Sequence, residues 1–183
     1  MKRLILISLV AATVLVNLSS CKKVLAAVFG GTDVAVPQFQ FTVPPIYTIL
    51  PGEIPLGSYS FNFNLDSTVR AKTGGVFGAN AVNSIKIKQI IIKITNPDAY
   101  NNLANIDSVR VTLQSSSNNN PVELFKIGFP NTYADTYDYT TTNSPELLSY
   151  IKGNTISCNV FGKMRTVTNK SLGLTVDVTL RAN

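Results

Sequence analysis

The feature that most constrains this chain is a hydrophobic period of two that recurs along most of its length. Phe39, Phe41 and Val43 alternate with Gln38, Gln40 and Thr42. Tyr59, Phe61, Phe63 and Leu65 alternate with Ser60, Asn62 and Asn64. The same rhythm runs through Val109–Leu113, Phe125–Phe129, Ile156–Val160 and Leu172–Leu180. Successive strand side chains point to opposite faces, so strict alternation means one face in a core and one in water. Antiparallel sheets show that pattern, whereas parallel sheets carry continuous apolar runs.

One stretch breaks phase in an informative way. Ile85 and Ile87 share one phase, and Ile90, Ile92 and Ile94 share the other. A bulge at Lys88-Gln89, or a change of sheet there, keeps both halves facing the core. The density of isoleucine marks this strand as central. Asn96-Pro97-Asp98 ends it, because Pro97 cannot donate to a ladder and Asn and Asp favour turns.

Turn material separates the strands: Gly74 to Asn83, the polar Ser115 to Asn120, and Asn131 to Asn143, the last a longer polar loop or an edge hairpin. Residues 37–55 hold five of the nine prolines and read as irregular or edge structure. A short helix is expected near Ser144, with Pro145 and Glu146 in its first turn, Leu147, Leu148 and Ile151 as its apolar stripe, and Gly153 as its stop. The pattern predicts an all-β fold: a two-sheet antiparallel β-sandwich with Greek-key, Ig-like connections, seven or eight strands and one short helix. An eight-stranded barrel is the alternative, and the pairing order is not readable.

Composition removes several chemistries. The chain has 183 residues and no histidine, so it has no His-based triad and no imidazole ligand for a metal. It also lacks tryptophan, the usual sugar platform of glycosidases. Its net charge is +6, but the lysines are scattered and show no aromatic interleaving, so nucleic acid is not an expected partner. Lys86 and Lys88 read as solvated or edge-protecting residues.

The start of the chain carries a targeting pattern. Lys2 and Arg3 precede an apolar run from Leu4 to Val16, too short for a comfortable membrane span of about 20 residues but fit for a secretory signal. Leu18-Ser19-Ser20-Cys21 follows, and this resembles the lipobox of bacterial lipoproteins. The resemblance covers residues 1–21 only. It implies that residues 1–20 are removed and that Cys21 carries acyl chains on sulfur and on its new amino group. Several acyl chains hold a domain stably on a bilayer where one does not. Lys22 and Lys23 would sit beside anionic headgroups. The residue after the cysteine is Lys22, not the aspartate of inner-membrane retention, so the expected location is the cell envelope, lipid-anchored at the outer membrane, its face undetermined. With Cys21 lipidated, Cys158 has no partner for a disulfide.

The expected organisation is therefore a signal peptide at 1–20, an anchor and tether at 21–36, and one β-sandwich domain at 37–183. The apolar run Val24 to Phe29 is expected to pack on the domain or the membrane, with Gly30-Gly31 after it as a hinge. Cys158 falls on the inward phase of its strand and reads as a buried small hydrophobe. Asp135 and Asp138 read as turn and solvent-facing carboxylates, not as a glycosidase pair or a calcium loop. The segment with a recognition character is Tyr133, Asp135, Tyr137, Asp138 and Tyr139, whose tyrosines and acids match the composition of adaptable binding loops. No catalytic residue, metal site or cofactor is expected. The expected function is a lipid-anchored, non-enzymatic module that binds a protein or glycan. The alternative is a structural or assembly lipoprotein of an envelope complex.

Overall fold

The computed structural model describes residues 27–153 and 155–183, so the expected signal peptide and the expected lipidation site Cys21 lie outside the described residues. The strands are β1 (Thr32–Ala35), β2 (Phe39–Val43), β3 (Ile54–Asn62), β4 (Ile85–Ile94), β5 (Ile106–Ser115), β6 (Asn118–Gly128), β7 (Thr136–Thr140), β8 (Thr155–Met164) and β9 (Leu172–Ala182). Lying wholly among the described residues are two α-helices, α1 (Leu65–Lys72) and α2 (Leu148–Ile151).

The strands form the expected antiparallel two-sheet sandwich. One sheet runs β1-β9-β4-β7, with β2 also on β9; the other runs β3-β8-β5-β6. β1 pairs with the C-terminal part of β9, Thr32 opposite Ala182. β2 pairs with its N-terminal part, Val43 opposite Leu172. The two are one edge position interrupted near Pro37, which has no N–H to give the ladder. Nine strands thus fill eight places. The β1–β2 and β5–β6 connections stay within a sheet; β2–β3, β3–β4, β4–β5, β6–β7, β7–β8 and β8–β9 all cross between the sheets. This strand order is that of a double Greek-key jelly roll.

The isoleucine phase slip is a β-bulge. Ile87 pairs with Leu180 and Gln89 with Thr179, which leaves Lys88 as the extra residue. Ile85, Ile87, Ile90, Ile92 and Ile94 are consequently all buried. They pack in one core with Leu172, Leu174, Val176, Val178 and Leu180 of β9 and with Val109, Val111 and Val160 of the facing sheet. The freed Lys88 ammonium bonds the Asp33 carboxylate on β1.

Three expectations need correction. Leu65 does not continue a strand from Tyr59: β3 stops at Asn62 and Leu65 opens α1. Asn64 caps that helix by accepting from the Ser67 N–H at 2.9 Å, and Asp66 and Arg70 pair one turn apart. The second helix is shorter than expected and begins at Leu148. Ser144 and Glu146 instead run beside the lower part of β4, where β7 does not reach. The Ile87 N–H donates to Ser144 Oγ at 2.8 Å and the Ile85 N–H to Glu146 Oε1 at 2.7 Å. Leu147 N–H completes the ladder on the Ile85 carbonyl. Finally, the sandwich begins ahead of residue 37. β1 lies within the stretch expected to be tether, held by its ladder to β9 and by Asp33, which also accepts from Arg181 at 3.2 Å.

Candidate functional site

The register places four loops at one rim of the sandwich. They are residues 44–53, 95–105, 129–135 and 165–171, which flank the paired ends Val43/Leu172, Ile94/Leu174, Gly128/Ser108 and Met164/Ile106. Six of the large apolar residues left in water sit on these loops: Tyr47, Ile49, Leu50, Tyr100, Tyr133 and Val167.

Asparagine chemistry ties the loops together. Asn105 is buried, and its side-chain amide donates to the Tyr100 carbonyl at 3.0 Å, Thr166 Oγ1 at 2.8 Å and the Val167 carbonyl at 3.0 Å. Its oxygen accepts from the Asn102 N–H at 2.8 Å. Asn101, also buried, donates to Asn169 Oδ1 at 2.8 Å and accepts from the Asn169 N–H at 3.1 Å. The Arg165 guanidinium reaches the Ala104 carbonyl at 2.7 Å and the Phe129 carbonyl at 2.8 Å. Thr168 ties in the 44–53 loop, exchanging hydrogen bonds of 2.9 Å with the backbone of Ile46. Every buried side-chain nitrogen and oxygen among the described residues has a partner. An amide side chain offers two donors and two acceptor lone pairs, which is why asparagine can serve several loop backbones at once. A fully satisfied polar network makes a rigid platform out of loops that lack a ladder.

This platform encloses an open groove of about 440 Å³ lined by Tyr100, Asn131, Thr166, Val167 and Asn169 above Asn102 and Asn105. Tyr100 is 79% exposed and presents its ring to solvent. Thr166 spends an oxygen lone pair on Asn105, and its hydroxyl proton remains to donate. Asn131 makes no hydrogen bond to another described residue through its side chain, and the Asn169 side-chain N–H₂ likewise has no described acceptor. The groove lining itself carries no charged side chain. Beside it, Asp98 and Lys170 pair at 2.6 Å, and that bond, with those from Asn101 and the Tyr100 N–H, holds the Asp98 carboxyl far below the usual carboxylate range. The chemistry offered is a flat aromatic surface with neutral amide and hydroxyl groups around it.

The segment singled out from sequence is split by the strand it forms. Tyr137 and Tyr139 lean inward onto the core, and Tyr137 meets Phe129 edge-on at 5.2 Å between ring centres. Asp138 faces out between them and accepts twice from Gln89 Nε2, at 2.8 and 2.9 Å. Asp135 is exposed and gives its backbone carbonyl to the Ile94 N–H. Of the five residues, Tyr133 alone adds an exposed ring to the loop rim. Sequence reasoning missed Tyr100, Asn131, Thr166 and Asn169. The available signal was the asparagine run Asn101-Asn102…Asn105 beside a lone tyrosine.

No protein-family model matches the chain, and no curated protein is similar to it in sequence. Several solved structures are similar in fold. One is the family 32 carbohydrate-binding module of C. perfringens NanJ in complex with galactose, at 8% identity and a TM-score of 0.36, covering 81% of this chain and 99% of that one. Another is the Yersinia pseudotuberculosis-derived mitogen, at 9% identity and a TM-score of 0.31, covering 81% and 86%. A third is the structure of infectious bursal disease virus, Gt strain, at 8% identity and a TM-score of 0.35; 84% of this chain is covered, and it spans about a third (33%) of that protein.

Proposed function

We propose that the protein is an envelope lipoprotein, held at the outer membrane by acyl chains on Cys21, that binds a glycan in the four-loop groove without transforming it. The observation that carries the binding reading is the exposed Tyr100 ring beside uncharged, partly unengaged amide and hydroxyl groups on a pre-organised platform. A sugar presents an apolar C–H face and a rim of hydroxyls, which that combination matches. An acidic or basic ligand would want a charged lining, and a peptide strand would want an open sheet edge. The absence of histidine from the sequence and the burial of Cys158, the one described thiol, support a proposal of binding without turnover. The Leu18–Cys21 pattern supports the anchor.

One set of samples tests both parts. Cells expressing the wild type, Cys21→Ala and Tyr100→Ala are fractionated, and each purified protein is titrated with a panel of neutral oligosaccharides. Loss of a stacked ring costs about 1 kcal/mol, so Tyr100→Ala is expected to weaken binding roughly five- to tenfold with an unchanged melting curve. Cys21→Ala is expected to leave the membrane fraction and keep its affinity. Equal affinity of the wild type and Tyr100→Ala would move the site away from the groove. Membrane retention of Cys21→Ala would end the lipoprotein reading.

A further inference from the structure

The rim opposite the four loops is where the chain enters the sandwich. Thr32, the first residue of β1, stands opposite Ala182 at the far end of β9 from Leu172. Eleven strand residues separate the two rims, roughly 35 Å at the usual strand rise. α1 and the turn after it lie at this lower rim, since Asn62 at the end of β3 pairs with Thr155 at the start of β8.

This rim carries its own exposed apolar pair. Val28 and Val76 are each 68% exposed. They are neighbours through the residues that follow them, because the rings of Phe29 and Phe77 meet at 5.3 Å. Gly74 and Gly75 both have positive φ, 62° and 83°, and this left-handed turn carries the chain from α1 out to Val76. Lys72, in the last turn of α1, is exposed and has no carboxylate partner among the described residues. The carboxylates of the same rim are engaged: Asp66 by Arg70, Asp33 by Lys88 and Arg181, and Glu146 by Ser84 and the Ile85 N–H. In sequence, Cys21, the basic pair Lys22-Lys23 and the apolar stretch from Val24 to Ala27 directly precede Val28. The stretch from Cys21 to Ala27 spans at most about 22 Å even when fully extended.

We infer that the Val28–Val76 rim is a lipid-facing platform: the domain stands on the membrane on this end and presents the four-loop groove away from it. The inference rests on the anchor at Cys21. The occupant it commits to is a bilayer surface. Its interface would receive the two valines, and its anionic headgroups would meet Lys72. Exposed apolar side chains beside a lysine with no carboxylate partner among the described residues are the composition of an interfacial contact, and the few residues between Cys21 and Ala27 keep that contact within reach.

The test uses the full lipidated chain in vesicles of phosphatidylethanolamine and phosphatidylglycerol doped with brominated lipid. An environment-sensitive fluorophore is attached to Val76→Cys in one sample and to Tyr100→Cys in another. Both positions are exposed, so neither change disturbs the core, and native Cys158 is too buried to take the label. The expected result is a blue shift and bromine quenching at position 76 with neither at position 100. Vesicle flotation with equal or absent quenching at both positions would overturn the platform while leaving the anchor standing. Failure of the lipid-processed wild type to float would overturn the anchor and the platform together.

Discussion

Cys158 shows what a single side chain can and cannot do here. It sits on the inner face of β8 at 2% exposure, and burial pushes its thiol pKa up to about 12. A thiol so placed stays protonated and unreactive, since the thiolate is the nucleophile. Cys158→Ser is expected to cost about 1–3 kcal/mol by placing a hydroxyl among apolar neighbours, read as a lower melting midpoint. An aromatic disulfide reagent should label the native wild-type thiol only after denaturant is added. Alternation alone gave its phase, because Ile156 and Val160 share it. Tyr100 was not legible by the same route. A loop residue has no phase, and nothing in Tyr100-Asn101-Asn102 tells the exposed ring from the buried amides on either side of the network. The hydrogen bonds that separate them come from Asn169, Thr166 and Val167, more than sixty positions away in the chain.

At the scale of elements, β4 was readable and its neighbours were less so. A one-residue slip in a period of two can be absorbed only by a bulge or a change of sheet, and Lys88 is that bulge. The helices were harder. α1 follows an alternating strand whose phase Phe63 and Leu65 happen to extend, so periodicity hid the Asn64 cap. α2 carries good helix signals, but two of them, Ser144 and Glu146, are claimed by the open edge of β4. Burial raises the Glu146 pKa, but the Ile85 N–H, Ser84 hydroxyl and α2 N–H groups outweigh it, so the carboxyl titrates below its usual range. Glu146→Ala removes the acceptor of the Ile85 N–H. The expected cost is about 1–3 kcal/mol, with faster hydrogen exchange at the Ile85 and Ile87 amides and no change at Ile92, which β7 covers.

For the whole molecule, the two-sheet Greek-key sandwich followed from patterning, while the jelly-roll order did not. Alternation says which face of a strand is wet and is silent on which strand lies beside it. The charges act together at this scale. Lys88 and Arg181 lower Asp33, Arg110 and Lys126 lower Glu53, Arg70 lowers Asp66, Lys170 lowers Asp98 and Lys163 lowers Asp107. A carboxyl with a folded pKa below its unfolded one stabilises the fold above the unfolded value, and that stability is lost as pH falls through the folded value. The chain has no histidine, the side chain that ordinarily titrates near neutrality. Thermal stability is therefore expected to be flat from about pH 5 to 8 and to fall progressively below about pH 4, where carboxylates protonate. A decline beginning above pH 5.5 would contradict this account. High salt should flatten the acid limb only partly, since exposed pairs are screened and the Glu146 contacts are local hydrogen bonds.

The placement of β1 has a mechanical consequence. A domain held by its first strand and loaded at the opposite rim carries tension along the strand axis. β1 and β2 together contribute four and five residue pairs with β9. A pull along that axis loads those hydrogen bonds side by side, in shear, so they share the force. A pull across the axis would open them one at a time, as a zipper does. Under the proposed anchor at one rim and the proposed ligand site at the other, traction would fall in the direction the backbone ladder resists best.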